Sequence, residues 1–113
     1  MPHRGDSKSS VDITVHCAYE CEHCADQCYS EPQMAECGRL ARDAAEICWS
    51  IAGFMSRGSR FIPSLAKSCI EICEACASEC EKHESEHCQN CAKACRQVSA
   101  EYQKIANVAA ART

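Results

Sequence analysis

The chain has little that would interrupt a helix. Its 113 residues include three prolines and four glycines, and these fall mostly near the ends or between periodic segments. No strand-like alternation is present, so an all-helical reading follows. No stretch approaches the roughly 18 consecutive apolar residues that a membrane span needs. The opening residues 1–10 lack the apolar segment of a secretory signal. There is no long Lys/Arg run, and the formal net charge is -4, which removes the electrostatic footprint of a protein that binds nucleic acid or an anionic membrane. The chain is therefore expected to be cytoplasmic, where thiols stay reduced, with no nucleic-acid and no membrane partner.

What the chain has in excess is sulfur: 13 cysteines. A chain of this length makes one domain with a real core, so cross-links are not needed to compensate for small size. An odd number also forbids complete internal pairing. The turn signals divide the chain into four helical segments, expected at about 11–30, 32–56, 63–82 and 85–110. Pro32 separates the first two, with Ser30 and Gln33 spaced as a capping box. Arg57 to Pro63 separates the second from the third. The third and fourth meet in the polar run Glu81 to Ser85, with Ser85 as N-cap. Residues 1–10 are expected to be a disordered tail, and 11–113 a single domain.

The cysteine spacing places the sulfurs. Cys17, Cys21, Cys24 and Cys28 read C-x3-C-x2-C-x3-C, and so do Cys69, Cys73, Cys76 and Cys80. At about 100° per residue, the four positions of each set fall within an arc of about 60°, so each helix carries one thiol stripe. Cys88, Cys91 and Cys95 continue the template, which runs back to Glu84. Cys37 and Cys48 occupy its two ends on the second segment, with Ala41 and Ala44 between them. Short connections make successive helices antiparallel, which predicts an up-down-up-down four-helix bundle with a cysteine-lined core. Cys28 and Cys80 should then meet Cys37 and Cys88 at one end. The other end should be an apolar plug of Ile13, Ile51, Met55, Ile62, Leu65 or Ala66, Val98, Tyr102 and Ile105, with Trp49, Phe54 and Phe61 packed there too.

Packing alone does not explain 13 inward thiols, because Ala, Val or Leu would fill the space without the oxidation hazard. Disulfides between residues four apart on a helix would distort it. Structural zinc and iron–sulfur clusters use loop-borne knuckles, whereas Cys21-x2-Cys24, Cys73-x2-Cys76 and Cys88-x2-Cys91 lie within helical patterns. A sulfur-lined tube suits a soft ion that accepts two or three ligands, and Cu(I) fits best. One monovalent ion per thiolate also leaves the core nearly neutral, while four thiolates per zinc would strand negative charge there. Multiple Cu(I) ions are accordingly the expected cargo.

These stripes resemble those of the four-helix-bundle copper storage proteins of the cytosolic type. The resemblance covers about residues 11 to 110. It implies accumulation of many Cu(I) ions along the core and a homo-oligomer, commonly a tetramer. A copper chaperone or a small thiol donor would deliver the metal. Ala41 and Ala44 depart from the family pattern, which implies a capacity below that of richer members.

The expected ligands are Cys17, Cys21, Cys24, Cys28, Cys37, Cys48, Cys69, Cys73, Cys76, Cys80, Cys88, Cys91 and Cys95. Ions should be admitted at the cysteine end, where Met34, His83 and His87 offer a thioether and imidazoles. His16 and His23 lie one position off the stripe and are expected at the surface; His3 falls in the tail. Two other readings compete: a general zinc or cadmium thiolate buffer, and a thiol redox enzyme. The second lacks a nucleophile, base and orienting group in one cleft, so no catalytic residue is assigned.

Overall fold

The computed structural model describes residues 4–111. In chain order it contains α1 (Arg4–Cys28), a 3₁₀ turn (Pro32–Met34), α2 (Ala35–Ser56), α3 (Ile62–Cys80) and α4 (Glu86–Ala111). No strand occurs among the described residues. Each helix packs on its chain neighbours and α1 closes the ring against α4, giving an antiparallel bundle about 46 Å long. The seams are lined with alanine: Ala18, Ala45, Ala77 and Ala92 are buried there. Small side chains at these positions let the helix axes approach closely, so sulfurs from different helices come within reach of one another.

The first helix starts at Arg4, seven residues before its expected start. Once a helix is nucleated, each added residue costs little, and no proline between Pro2 and Pro32 stops it. Residues 1–3, including His3, lie outside the described residues.

The connection to α2 also differs from expectation. Pro32 forces Glu31 into an extended conformation (φ -117, ψ 97), making Glu31 the cap of the 3₁₀ turn. The Ser30–Gln33 box is therefore not made, and Gln33 Nε2 donates to Glu31 Oε2 at 2.9 Å instead. The end of α2 follows its sequence signal. Gly58 adopts φ +61, Ser59 N donates to Phe54 O and Gly58 N to Met55 O, both at 3.1 Å. This is the Schellman arrangement, and it requires a residue without a β-carbon penalty in the left-handed region. Ser85 holds the cap position of α4, its carbonyl accepting from Gln89 N at 3.0 Å.

The end of the core remote from the α1–α2 hairpin buries Ile51, Met55, Ala66, Val98 and Tyr102, with Ile13, Ile62, Leu65 and Ile105 half-buried around them. It is not purely apolar as expected. Thr14 lies on the stripe beside Ile13 and is fully buried; its Oγ1 donates to Ser10 O at 2.7 Å and is hydrogen-bonded to the Tyr102 hydroxyl. Two aromatic expectations are also corrected. Trp49 is 44% exposed and Phe61 53% exposed. Trp49 follows Cys48 and so points about 100° away from the stripe. Phe61 precedes α3 and lies beneath the Arg60 guanidinium, 4.9 Å from its ring centroid.

Candidate metal centre

All 13 cysteines are free thiols and all are buried. Their positions follow from helix period alone: residues four apart on one face put Sγ pairs at 3.8 Å (Cys17 with Cys21, Cys69 with Cys73) and 4.0 Å (Cys24 with Cys28, Cys76 with Cys80). Two sulfurs held on one ion at about 2.3 Å each stand at most about 4.6 Å apart, so these pairs suit a metal without backbone movement.

Antiparallel packing then adds contacts between helices. Cys21 Sγ lies 3.4 Å from Cys91 and 3.5 Å from Cys95. Cys76 lies 3.7 Å from Cys91, Cys17 3.9 Å from Cys95, and Cys24 4.0 Å from Cys88. At the hairpin end Cys37 lies 3.1 Å from Cys80 and 3.7 Å from Cys88.

The thiols form five groups, each with all sulfurs within 4.8 Å: Cys48, Cys69 and Cys73; Cys17, Cys73 and Cys95; Cys21, Cys76, Cys91 and Cys95; Cys24, Cys80 and Cys91; and Cys24, Cys28, Cys37 and Cys88. Successive groups share Cys73, Cys95, Cys91 and Cys24 in turn, so the sulfur runs unbroken along the bundle axis. Ala41 and Ala44 are buried on the same stripe of α2. The three middle groups accordingly draw on α1, α3 and α4 without α2.

Burial and mutual hydrogen bonding divide the thiols. Hydrogen bonds from neighbouring thiols, Cys21 first for both, hold Cys17 and Cys76 down to about 6. The same kind of bond lowers Cys73, led by Cys17, and Cys91, led by Cys21. Cys21, Cys48, Cys80 and Cys95 are pushed up, each chiefly because its proton serves such a bond. Burial is the leading cause that raises Cys28 and Cys37. Cationic metal is the natural replacement for the protons of these buried thiols.

The three candidate gate residues are placed differently. His87 Nδ1 lies 3.3 Å from Cys24 Sγ and 3.5 Å from Cys88 Sγ. It is half-buried, and desolvation lowers its pKa, favouring the neutral imidazole that ligates metal. This imidazole stands where the α4 stripe runs out of cysteine, since Glu84 precedes the helix and is exposed. His83 Nε2 is instead paired with Glu79 Oε2 at 3.0 Å. Met34 is buried beneath the α1–α2 connection. His16 and His23 are exposed, as expected.

Gly38 was not singled out by sequence reasoning. A β-carbon there would come within 3.1 Å of Cys28 Cβ, so the close approach of α1 and α2 at this level depends on glycine. A glycine three residues before inward Ala41 is the only signal of this in the sequence.

Comparison with known proteins matches the observed geometry. The family described as Csp, copper storage protein, matches residues 4–107. The cysteine-rich protein YhjQ of Bacillus subtilis is 37% identical over 91 residues, 78% of this chain and 84% of its own length. Apo copper storage protein 3 from Bacillus subtilis superposes with a TM-score of 0.82 at 35% identity, covering 88% of this chain and 98% of that one. A cytosolic copper storage protein from Streptomyces lividans, solved with five coppers, gives 0.85 at 31% identity over 92% of this chain and 94% of its own. With a matching sulfur-lined bundle, the chain belongs to the copper storage protein family.

Proposed function

We propose that this protein stores multiple Cu(I) ions as thiolate complexes along its core, in the cytosol, with all 13 cysteines as ligands. The observation that carries this reading is the continuous series of five thiol groups linked by shared sulfurs. Shared thiols allow one sulfur to bridge two ions, which supports clusters instead of isolated sites. Each Cu(I) bound displaces a thiol proton, so the buried core gains no large net charge as it fills. The relatives support the choice of metal: one is a Cu(I)-bound copper storage protein and another was loaded with 10 copper equivalents.

Ions are admitted at the end formed by the α1–α2 hairpin and the α3–α4 turn, with His87 as the first nitrogen ligand and His83 and Met34 as flanking ligands. The opposite end is sealed by Tyr102, Ile51 and Val98. The functional unit is a homo-oligomer, and no catalytic step is assigned. No helix among the described residues is long and apolar enough to cross a membrane.

Anaerobic titration of the reduced protein with Cu(I) against a competing chelator, with zinc in parallel, tests the reading. Several ions per chain held more tightly than zinc is the expected result. Saturation at one or two ions, or displacement of copper by zinc, would replace copper storage with a general soft-metal buffer.

A further inference from the structure

A cavity of about 650 Å³ opens at the α1–α2 hairpin, beside the sulfur core. Cys28 lines it, and Cys28 is the one cysteine with any solvent exposure, 2% where the other twelve have none. Gly38 borders the same space, and its missing side chain leaves the wall at Cys28 uncovered. Both signs of charge surround the cavity: Arg39 and Arg42 on α2, with Glu31 and Asp43. The two arginines are loosely engaged, Arg39 with Glu36 at 3.9 Å and Arg42 with Glu22 at 3.2 Å, and all four side chains are more than 40% exposed. Exposed pairs of this kind have little net worth, so a ligand's charges can displace them. Tyr29, 93% exposed, stands at the rim.

We propose that this cavity docks a low-molecular-weight thiol peptide carrying Cu(I), and that Cys28 receives the metal. The carboxylates of the peptide pair with Arg39 and Arg42, and its ammonium group pairs with Glu31 or Asp43. The volume lies in the range of small-molecule sites, and the concave shape with a thiol on its wall fits a compact ligand better than the face of a folded chaperone. The transfer is a ligand exchange. A Cu–S bond to Cys28 forms, a Cu–S bond to the carrier breaks, and the Cys28 proton passes to the departing sulfur. Copper remains monovalent and no electron moves. Cys24, Cys37 and Cys88 are grouped with Cys28 within 4.8 Å, so a second exchange draws the ion into the core. This inference rests on the storage reading and adds the donor and the place where it unloads.

The test compares delivery from three anaerobic Cu(I) complexes, with glutathione, with 2-mercaptoethanol and with acetonitrile, to the wild-type chain and to the double variant Arg39→Glu/Arg42→Glu. Reversing these charges should slow uptake from the glutathione complex by about tenfold at low ionic strength. The difference should shrink in high salt. Uptake from the two carriers that bear no carboxylate should not be slowed, and the final capacity should be unchanged. Equal slowing for all three carriers, or no slowing with glutathione, would overturn the docking site while leaving storage intact. Failure of the wild-type chain to take several ions from any carrier would overturn both.

Discussion

Cys37 and Cys80 are 43 residues apart in sequence, yet their sulfurs lie 3.1 Å apart across α2 and α3. Cys88 of α4 lies 3.7 Å from the same Cys37 sulfur. Three helices therefore meet at one thiol next to the hairpin end. Cys37→Ser should lower Cu(I) capacity by about one or two ions, because a hydroxyl is a poor partner for this soft ion. The apo helical content should be unchanged. Chelator-competed titration and circular dichroism check this, and an unaltered capacity would remove Cys37 from the ligand set.

Ala41 and Ala44 are fully buried on the thiol stripe of α2. Ala41→Cys and Ala44→Cys would give α2 a sulfur at the middle levels, where it now has none. Each adds an atom to a packed interior, at a cost of about 1–3 kcal/mol to the apo bundle. The expected outcome is a lower apo melting temperature together with a capacity higher by about one ion per added thiol. A destabilised protein with no added capacity would show that ions do not reach those levels.

Thr14 and Tyr102 seal the far end by a hydrogen bond in a fully buried setting. Since the Thr14 hydroxyl proton goes to Ser10 O, the Tyr102 hydroxyl is the donor to Thr14. Tyr102→Phe removes one bond and leaves Thr14 paired, costing about 1 kcal/mol. Thr14→Val strands the Tyr102 hydroxyl in the core, costing up to about 3 kcal/mol. Urea denaturation of the apo protein should rank Thr14→Val as the more damaging change. The reverse ranking would refute the assigned donor.

The apo bundle should lose stability in alkali. Cys21, Cys48 and Cys95 are raised above the ordinary thiol value of 9.0 by hydrogen bonds to neighbouring thiols, Cys17 first, Cys80 likewise with Cys24 first, and Cys28 and Cys37 chiefly by burial. Above pH 9 these thiols ionise in the unfolded chain but not in the folded one. The unfolded state then binds fewer protons, so stability falls as pH rises. Cys17 and Cys76, held down to about 6, act in the opposite sense between about pH 6 and 9. Melting curves from pH 6 to 10 should pass through a maximum below pH 9. Copper-loaded protein, whose thiols have already lost their protons, should show little alkaline loss.

The bundle and the sulfur axis were legible because both depend on period. Residues spaced 4, 3 and 4 apart on a helix share a face whatever surrounds them, and short polar connections turn each helix back on the last. The start of α1 was not legible, because helix propagation through residues 4–10 has no marker as distinct as the proline that ends the following segment. The exposure of Trp49 follows from its angular position next to Cys48, about 100° off the stripe, and not from its size.

The amino-acid sequence alone determined that every cysteine lies on one of four stripes, and that matching levels of those stripes face one axis. Only the folded bundle decided which sulfurs meet. The distances depend on how closely alanine-lined seams and Gly38 let the helices approach, and on rotations about their axes that no single helix specifies. The same packing brought the His87 imidazole to Cys24, 63 residues earlier in the chain, paired Thr14 with Tyr102, and left Cys28 beside an open cavity. Contacts of this kind between separate helices have no local sequence signature, since each is set by the shape of the whole core.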